Sequence, residues 1–201
     1  RRMDLSRQDL IGVTAPLGTI ANMVLPGACA ARGLTGFRMV DCCFGALAQM
    51  VPDRVFAASD GGNTGISIGG YHDGRSPFIY VDFACGTWGG RPDADGLSGV
   101  SNVAANMAST SVEVTEVEHP IEILAYELVA DKAGAGQYRG GVPFCREYRL
   151  LADEAVLQVR SDRRAFRPYG LQGGQPGAPS TNIFNPGRED RLMPAKFTMT
   201  V

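Results

Sequence analysis

Phe144-Cys145-Arg146-Glu147-Tyr148-Arg149-Leu150-Leu151, then Ala152-Asp153-Glu154, then Ala155-Val156-Leu157-Gln158-Val159-Arg160: this stretch decides the fold class. Two runs of aromatic, aliphatic and β-branched residues, interleaved with polar ones, flank a short polar connector. The expectation is a hairpin with arms 144–151 and 155–160. The same grammar continues upstream. Between 57 and 96 the glycines come in clusters (Gly61-Gly62, Gly69-Gly70, Asp73-Gly74, Gly89-Gly90), with Phe78-Ile79-Tyr80-Val81-Asp82-Phe83 as a short apolar strand among them. Residues 10–27 read as strand-like pieces broken by Pro16, Gly18, Pro26 and Gly27. Val112-Glu113-Val114-Thr115 alternates as a half-exposed strand does. Residues 121–128 suit strand or helix, although His119-Pro120 disfavours a helix running in from upstream. Residues 161–187 read as a loop region rich in glycine and proline.

Helical spacing is confined to two places. Over 36–50, Val40, Cys43/Phe44, Leu47 and Met50/Val51 recur every three or four residues, and Pro52 ends the run. Leu97, Val100, Ala104 and Met107 allow a short helix over 97–107. The fold class is therefore α+β, a β-rich mixed or antiparallel sheet with a few packed helices, in one unit. Glycine and proline, 38 of 201 residues, suit such a turn-rich chain better than a helical bundle.

Composition narrows the function. Lys+Arg is 19 against Asp+Glu 21, so no global basic surface for nucleic acid exists. No apolar run reaches the roughly 18 residues needed to span a bilayer. The five cysteines (Cys29, Cys42, Cys43, Cys85, Cys145) are odd in number and form no CxxC, which fits reduced, mostly buried thiols in a cytoplasm. No signal peptide opens the chain. It begins Arg1-Arg2-Met3 and stops at Phe197-Thr198-Met199-Thr200-Val201, in what reads as the middle of a strand. The expectation is a piece of something longer.

No self-sufficient active site stands out. His72 and His119 are not spaced with other ligands, so no metal is assigned to this chain. Gly134-Ala135-Gly136-Gln137-Tyr138-Arg139-Gly140-Gly141 lacks the lysine of a phosphate loop. It reads more readily as a tight turn than as an anion nest. Arg139, Arg146, Arg149, Arg160, Arg163, Arg164 and Arg167 outnumber the acids among them. Solvated strand faces and salt bridges to a partner explain them better than nucleic acid does. Ser161-Asp162-Arg163-Arg164 either caps a turn or approaches a ligand, the turn being the plainer reading. Glycines around Trp88 bring the backbone close to a neighbour or a substrate, and Asn63-Thr64 offers an amide and a hydroxyl for orienting a polar group.

Taken in order, several segments resemble the hydantoinase B family, the B-type subunits or domains of N-methylhydantoinases and 5-oxoprolinases, related to acetone and acetophenone carboxylase subunits. The resemblance is carried by Gly45-Ala46-Leu47-Ala48-Gln49 with Pro52-Asp53-Arg54-Val55, by Trp88-Gly89-Gly90-Arg91-Pro92-Asp93-Ala94-Asp95-Gly96, and by Ser111-Val112-Glu113-Val114 with Glu118-His119-Pro120 and Tyr126-Glu127-Leu128. It continues through Gly134 to Gly141 into Arg146-Glu147-Tyr148-Arg149, then Ser161-Asp162-Arg163-Arg164, Gly170-Leu171-Gln172-Gly173-Gly174-Gln175-Pro176-Gly177 and Asn185-Pro186-Gly187.

The resemblance implies part of an ATP-dependent cyclic-amide hydrolase. An A-type subunit with an actin-like ATPase fold is expected to bind ATP and phosphorylate a carbonyl oxygen, after which the B-type part completes ring opening. A divalent metal is expected in the N-terminal half of the B-type subunit, whose His/Asp-rich segment has no counterpart here. Residues 1–201 are thus expected to be the C-terminal part of a hydantoinase B-type domain, incomplete at both ends. The implied assembly is a cytoplasmic hetero-oligomer with the A-type subunit and that N-terminal half, without nucleic acid or membrane, and inactive as this chain alone. The alternatives are a piece of a ketone carboxylase, or a noncatalytic scaffold. Catalytic residues stay unassigned. The substrate-binding candidates are Asn63, Thr64, Trp88, Arg91, Arg139, Ser161, Asp162 and Arg163.

Overall fold

The computed structural model describes residues 12–29 and 32–201. The elements run α1 (Gly33–Leu47), β1 (Asn63–His72), β2 (Ser76–Cys85), α2 (Val112–Glu118), β3 (Ile121–Leu128), β4 (Phe144–Leu150), β5 (Ala155–Arg160), β6 (Asn182–Phe184), β7 (Arg191–Met193) and β8 (Lys196–Thr200). The fold is α+β, and the strand pairings are antiparallel. One sheet has the order β2-β1-β5-β8; β3-β4 and β6-β7 form two-stranded sheets.

Alternation in β1 and β2 sends Ile66, Ile68 and Tyr80 inward, where they meet Ile121 of β3 and Ala155 of β5. Tyr148 and Leu150 of β4 close over them, so the β3-β4 ribbon lies across the larger sheet. Asp73-Gly74 makes the β1-β2 turn with φ of 51° and 65°, which the missing Cβ of glycine and the tolerance of aspartate permit. Of the run 197–201, residues 197–200 are strand, as β8 paired to β5.

Several expectations need correction. The runs 144–151 and 155–160 are strands, but they do not form a hairpin: β4 pairs with β3 and β5 with β1. Their connector crosses between two sheets, since β3 and β1 carry Ile121, Ile66 and Ile68 into the core that β4 and β5 complete. Val112-Glu113-Val114-Thr115 belongs to α2 rather than to a strand. Ser111 caps that helix, accepting from the Val114 N–H, and Thr115 is the buried face. Residues 97–107 form turns and extended loop, since Asn102 bends the chain by accepting the Ala104 N–H on its own side chain. Within 161–187, β6 interrupts the loop. Of the stretch 10–27, only the bridge Thr19–Asn22 has strand character, and residues 10 and 11 lie outside the described residues, as does Arg1-Arg2-Met3. Cys29, Cys42, Cys43 and Cys145 are free and exposed, not buried. No helix among the described residues is long and apolar enough to cross a membrane.

Candidate functional site

Three glycine-rich segments, 87–93, 134–141 and 168–177, converge with the glycine-free segment 52–58 on one groove of about 440 Å³. Their approach is so close that side chains are excluded. A Cβ on Gly141 would stand 2.0 Å from the Leu97 carbonyl oxygen. Backbone bonds complete the wall: the Gly141 N–H donates to the Trp88 carbonyl and the Gly96 N–H to that of Arg139. The segment 134–141 is thus a tight packing turn. Trp88 stacks on Phe56 with centroids 5.4 Å apart and donates its indole N–H to the Ser101 carbonyl at 2.8 Å.

Behind this groove lies a buried polar cluster joining α1 to the base of β1 and the exit of β5. Asp41 of α1 is ion-paired with Arg163, whose Nε donates to the Asp60 carbonyl at 3.1 Å. Ser59 donates to Asp41 at 3.1 Å, and Asn102 donates to Ser59 at 3.2 Å. Tyr169 donates to the Asp41 carbonyl at 2.9 Å. Gly61 has φ 67°, and a Cβ there would strike the Arg163 guanidinium, so only glycine lets the cluster close. The Asp60 carboxyl accepts from the Gly86 N–H on Oδ2, while Oδ1 is buried without a hydrogen-bond partner. Burial, and then the charge of Asp41, push this carboxyl up to about 7, against the lowering by Gly86 and Arg163. Near neutral pH it is able to hold or release a proton.

The sequence candidates divide. Arg163 belongs to the cluster, and its neighbour Asp162 is paired with Arg38 of α1. Arg163 has φ 60°, so it forms the turn and reaches into the cluster as well. Ser161 is buried on the far side, donating to the Ala195 carbonyl and accepting from Asn182 at 2.9 Å. Trp88 and Arg91 line the groove; Arg91 donates to the Asp95 carbonyl at 2.9 Å. Arg139 is tied to Asp95 at 3.3 Å on the exposed side of the same loops. Thr64 stands on β1 opposite Ala84, beside Asn63 opposite Cys85. Asp41, Asp60, Ser59 and Asn102 escaped the sequence reading. The available signal was the lone acid of α1, a helix with only Arg38 as its other charge.

His72 ends β1 with Nε2 3.3 Å from Asp73, and His119 lies against the Tyr80 ring. Among the described residues, no three of His, Cys, Asp and Glu gather as a metal-holding group. The described residues do not fit a resident metal.

An α+β domain with a backbone-lined groove over a buried acid–arginine cluster is the class these features define. The chain matches the family Hydantoinase B/oxoprolinase over residues 8–201, and it belongs to that family. It is 32% identical over 167 residues to a protein of Pseudomonas sp. (strain NS671) named as the B-type subunit of a D-/L-hydantoinase, covering 83% of this chain and 28% of that protein. It is 29% identical over 175 residues to a 5-oxoprolinase of Pestalotiopsis fici, covering 83% of this chain and 13% of the other. The nucleotide-free structure of acetone carboxylase, described under ATP-dependent acetone carboxylation, aligns with a TM-score of 0.53 at 22% identity, over 72% of this chain and 19% of that one. That likeness supports the fold. The chain spans less than a third of the length of these curated relatives.

Proposed function

We propose that this chain is the C-terminal part of the B-type component of an ATP-dependent cyclic-amide hydrolase, working with an A-type, ATP-binding partner and the N-terminal half of the B-type subunit. One observation carries this reading. Four of the segments that hold the family resemblance, around Pro52, Trp88, Gly134 and Gly170, are the walls of a single groove. Membership of the family and the names of its hydantoinase and 5-oxoprolinase relatives support hydrolysis of a ring amide.

The chemistry is coherent. Amide resonance makes direct attack by water slow, and ATP supplies a phosphoryl group that turns the carbonyl oxygen into a leaving group. The residues of this chain bind and orient: backbone groups and Trp88 shape the groove, and Arg91 adds positive charge to its lining.

The test is substrate choice by the assembled complex. Consumption of 5-oxoproline or a hydantoin with phosphate release supports the reading. Turnover of a ketone only with bicarbonate moves the chain to the carboxylases. Substitution of Arg139 and Arg163 without loss of turnover in a correctly assembled complex reduces this chain to a scaffold.

A further inference from the structure

Arg146 of β4 is a charged side chain shut inside the protein, only 3% exposed. Its Nη1 donates to Asp82 Oδ2, which also accepts from the Tyr148 hydroxyl at 2.7 Å. The other two nitrogens, Nε and Nη2, are buried and have no hydrogen-bond partner. A guanidinium does not deprotonate in a protein, so these donors stay charged and unsatisfied.

Their identity points to a ligand. Nη1 lies on the Cδ side of the guanidinium, which leaves the Nε–H and Nη2–H bonds parallel. Together they are the side-on fork that receives the two oxygens of a carboxylate. The pairing with Asp82 therefore spares a whole carboxylate-binding edge. Burial pushes the Asp82 carboxyl up, but the Tyr148 hydrogen bond and the Arg146 charge outweigh it and hold it below its ordinary value. Asp82 thus stays charged and fixes the guanidinium plane.

A route exists. Tyr126 of β3 covers the guanidinium, with Cζ 3.8 Å from its ring centroid, and is 50% exposed. The same tyrosine lines a second cavity, of about 420 Å³, with Trp88, Leu97, Asn106 and Met107. The Tyr126 ring thus touches both the face of the guanidinium and the cavity.

We propose that Arg146 is the carboxylate-recognising residue of the cavity between Trp88 and Tyr126, its Nε and Nη2 receiving a carboxylate carried by the ring substrate. This rests on the hydrolase reading for the nature of the ligand. The test is calorimetric binding to the assembled complex of 5-oxoproline and of 2-pyrrolidone, the same lactam without the carboxylate. Arg146→Lys keeps the charge beside Asp82 and removes the fork. Affinity for 5-oxoproline is expected to fall at least tenfold, with 2-pyrrolidone unchanged. If that variant does not fold, the wild-type Arg146 Nε–H resonance is expected to move with 5-oxoproline and stay still with 2-pyrrolidone. Equal effects on both ligands, or an Nε–H held by fixed water and indifferent to either, overturn the proposal. Ring opening without carboxylate preference overturns this proposal and leaves the hydrolase reading standing. Carboxylate-selective binding without ring opening does the reverse.

Discussion

Arg163 donates from Nη2 to the carboxylate of Asp41, which lies 122 positions earlier in the chain. Both side chains are largely enclosed, 15% and 7% exposed, so the pair works where water screens little. It fastens α1 to the exit of β5, and the Nε contact to Asp60 brings in the base of β1. Three elements remote in sequence are held at one point behind the groove.

Removing one partner leaves the other charge buried and unpaired. Arg163→Ala is expected to cost about 3–5 kcal/mol in urea unfolding, whereas Asp41→Asn combined with Arg163→Gln costs less than Arg163→Ala alone. A cost below about 1 kcal/mol for Arg163→Ala, the range of an exposed pair, would deny the clasp.

Asp60 sets a pH dependence. Its folded value, about 7, lies above the ordinary 3.8, so between these pH values the folded chain binds the extra proton. Stability linked to this proton is full below about 3.8 and is lost as pH rises through about 7, with a slope of at most about 1.4 kcal/mol per pH unit. Asp60→Asn keeps an acceptor for the Gly86 N–H and should flatten that slope. An unchanged slope in unfolding free energy from pH 5 to 7 would place the titration elsewhere.

The tyrosines should titrate unequally. Burial first, and then Asp82, push Tyr80 up to about 12 and raise Tyr148 further, while burial raises Tyr169. Absorbance near 295 nm is expected to show these three of the six tyrosines ionising late, Tyr148 only as the fold opens. Simultaneous ionisation of all six near pH 10 in a folded chain would contradict the buried Asp82 arrangement.

Gly141→Ala places a methyl group 2.0 Å from the Leu97 carbonyl oxygen, a backbone atom that cannot swing aside. The loops must part, at a cost of about 1–3 kcal/mol. Turnover in the complex should fall together with stability. Gly74→Ala, where nothing lies within 4 Å, is the contrast, straining only the β1-β2 turn at φ 65°.

What the sequence made legible follows the range of the forces involved. α1 and the strand runs at 78–83 and 144–160 were readable because periodicity is local. Pairing was not: β4 and β5 adjoin in sequence but sit in different sheets, a choice made by Ile121 and Ile68 far away. α2 was misread because four alternating residues satisfy either period, and the deciding signal was Ser111 as a cap. Asp162 and Arg163 were singled out through their motif and meet α1 through Arg38 and Asp41, and Trp88 and Arg91 line the groove. Asp41 and Asp60 were missed because a single acid in a helix or beside Gly61-Gly62 has no local signature; its meaning comes from Arg163. Arg146 was read as part of a solvated strand face, and only the fold shows it sealed against Asp82.

The central claim is tested most directly by counting phosphate released against rings opened by the assembled complex with 5-oxoproline or a hydantoin. The account predicts one phosphate for each ring opened, with neither product forming when ATP is omitted. Ring opening that proceeds without ATP, or phosphate release that continues without ring opening, would contradict it.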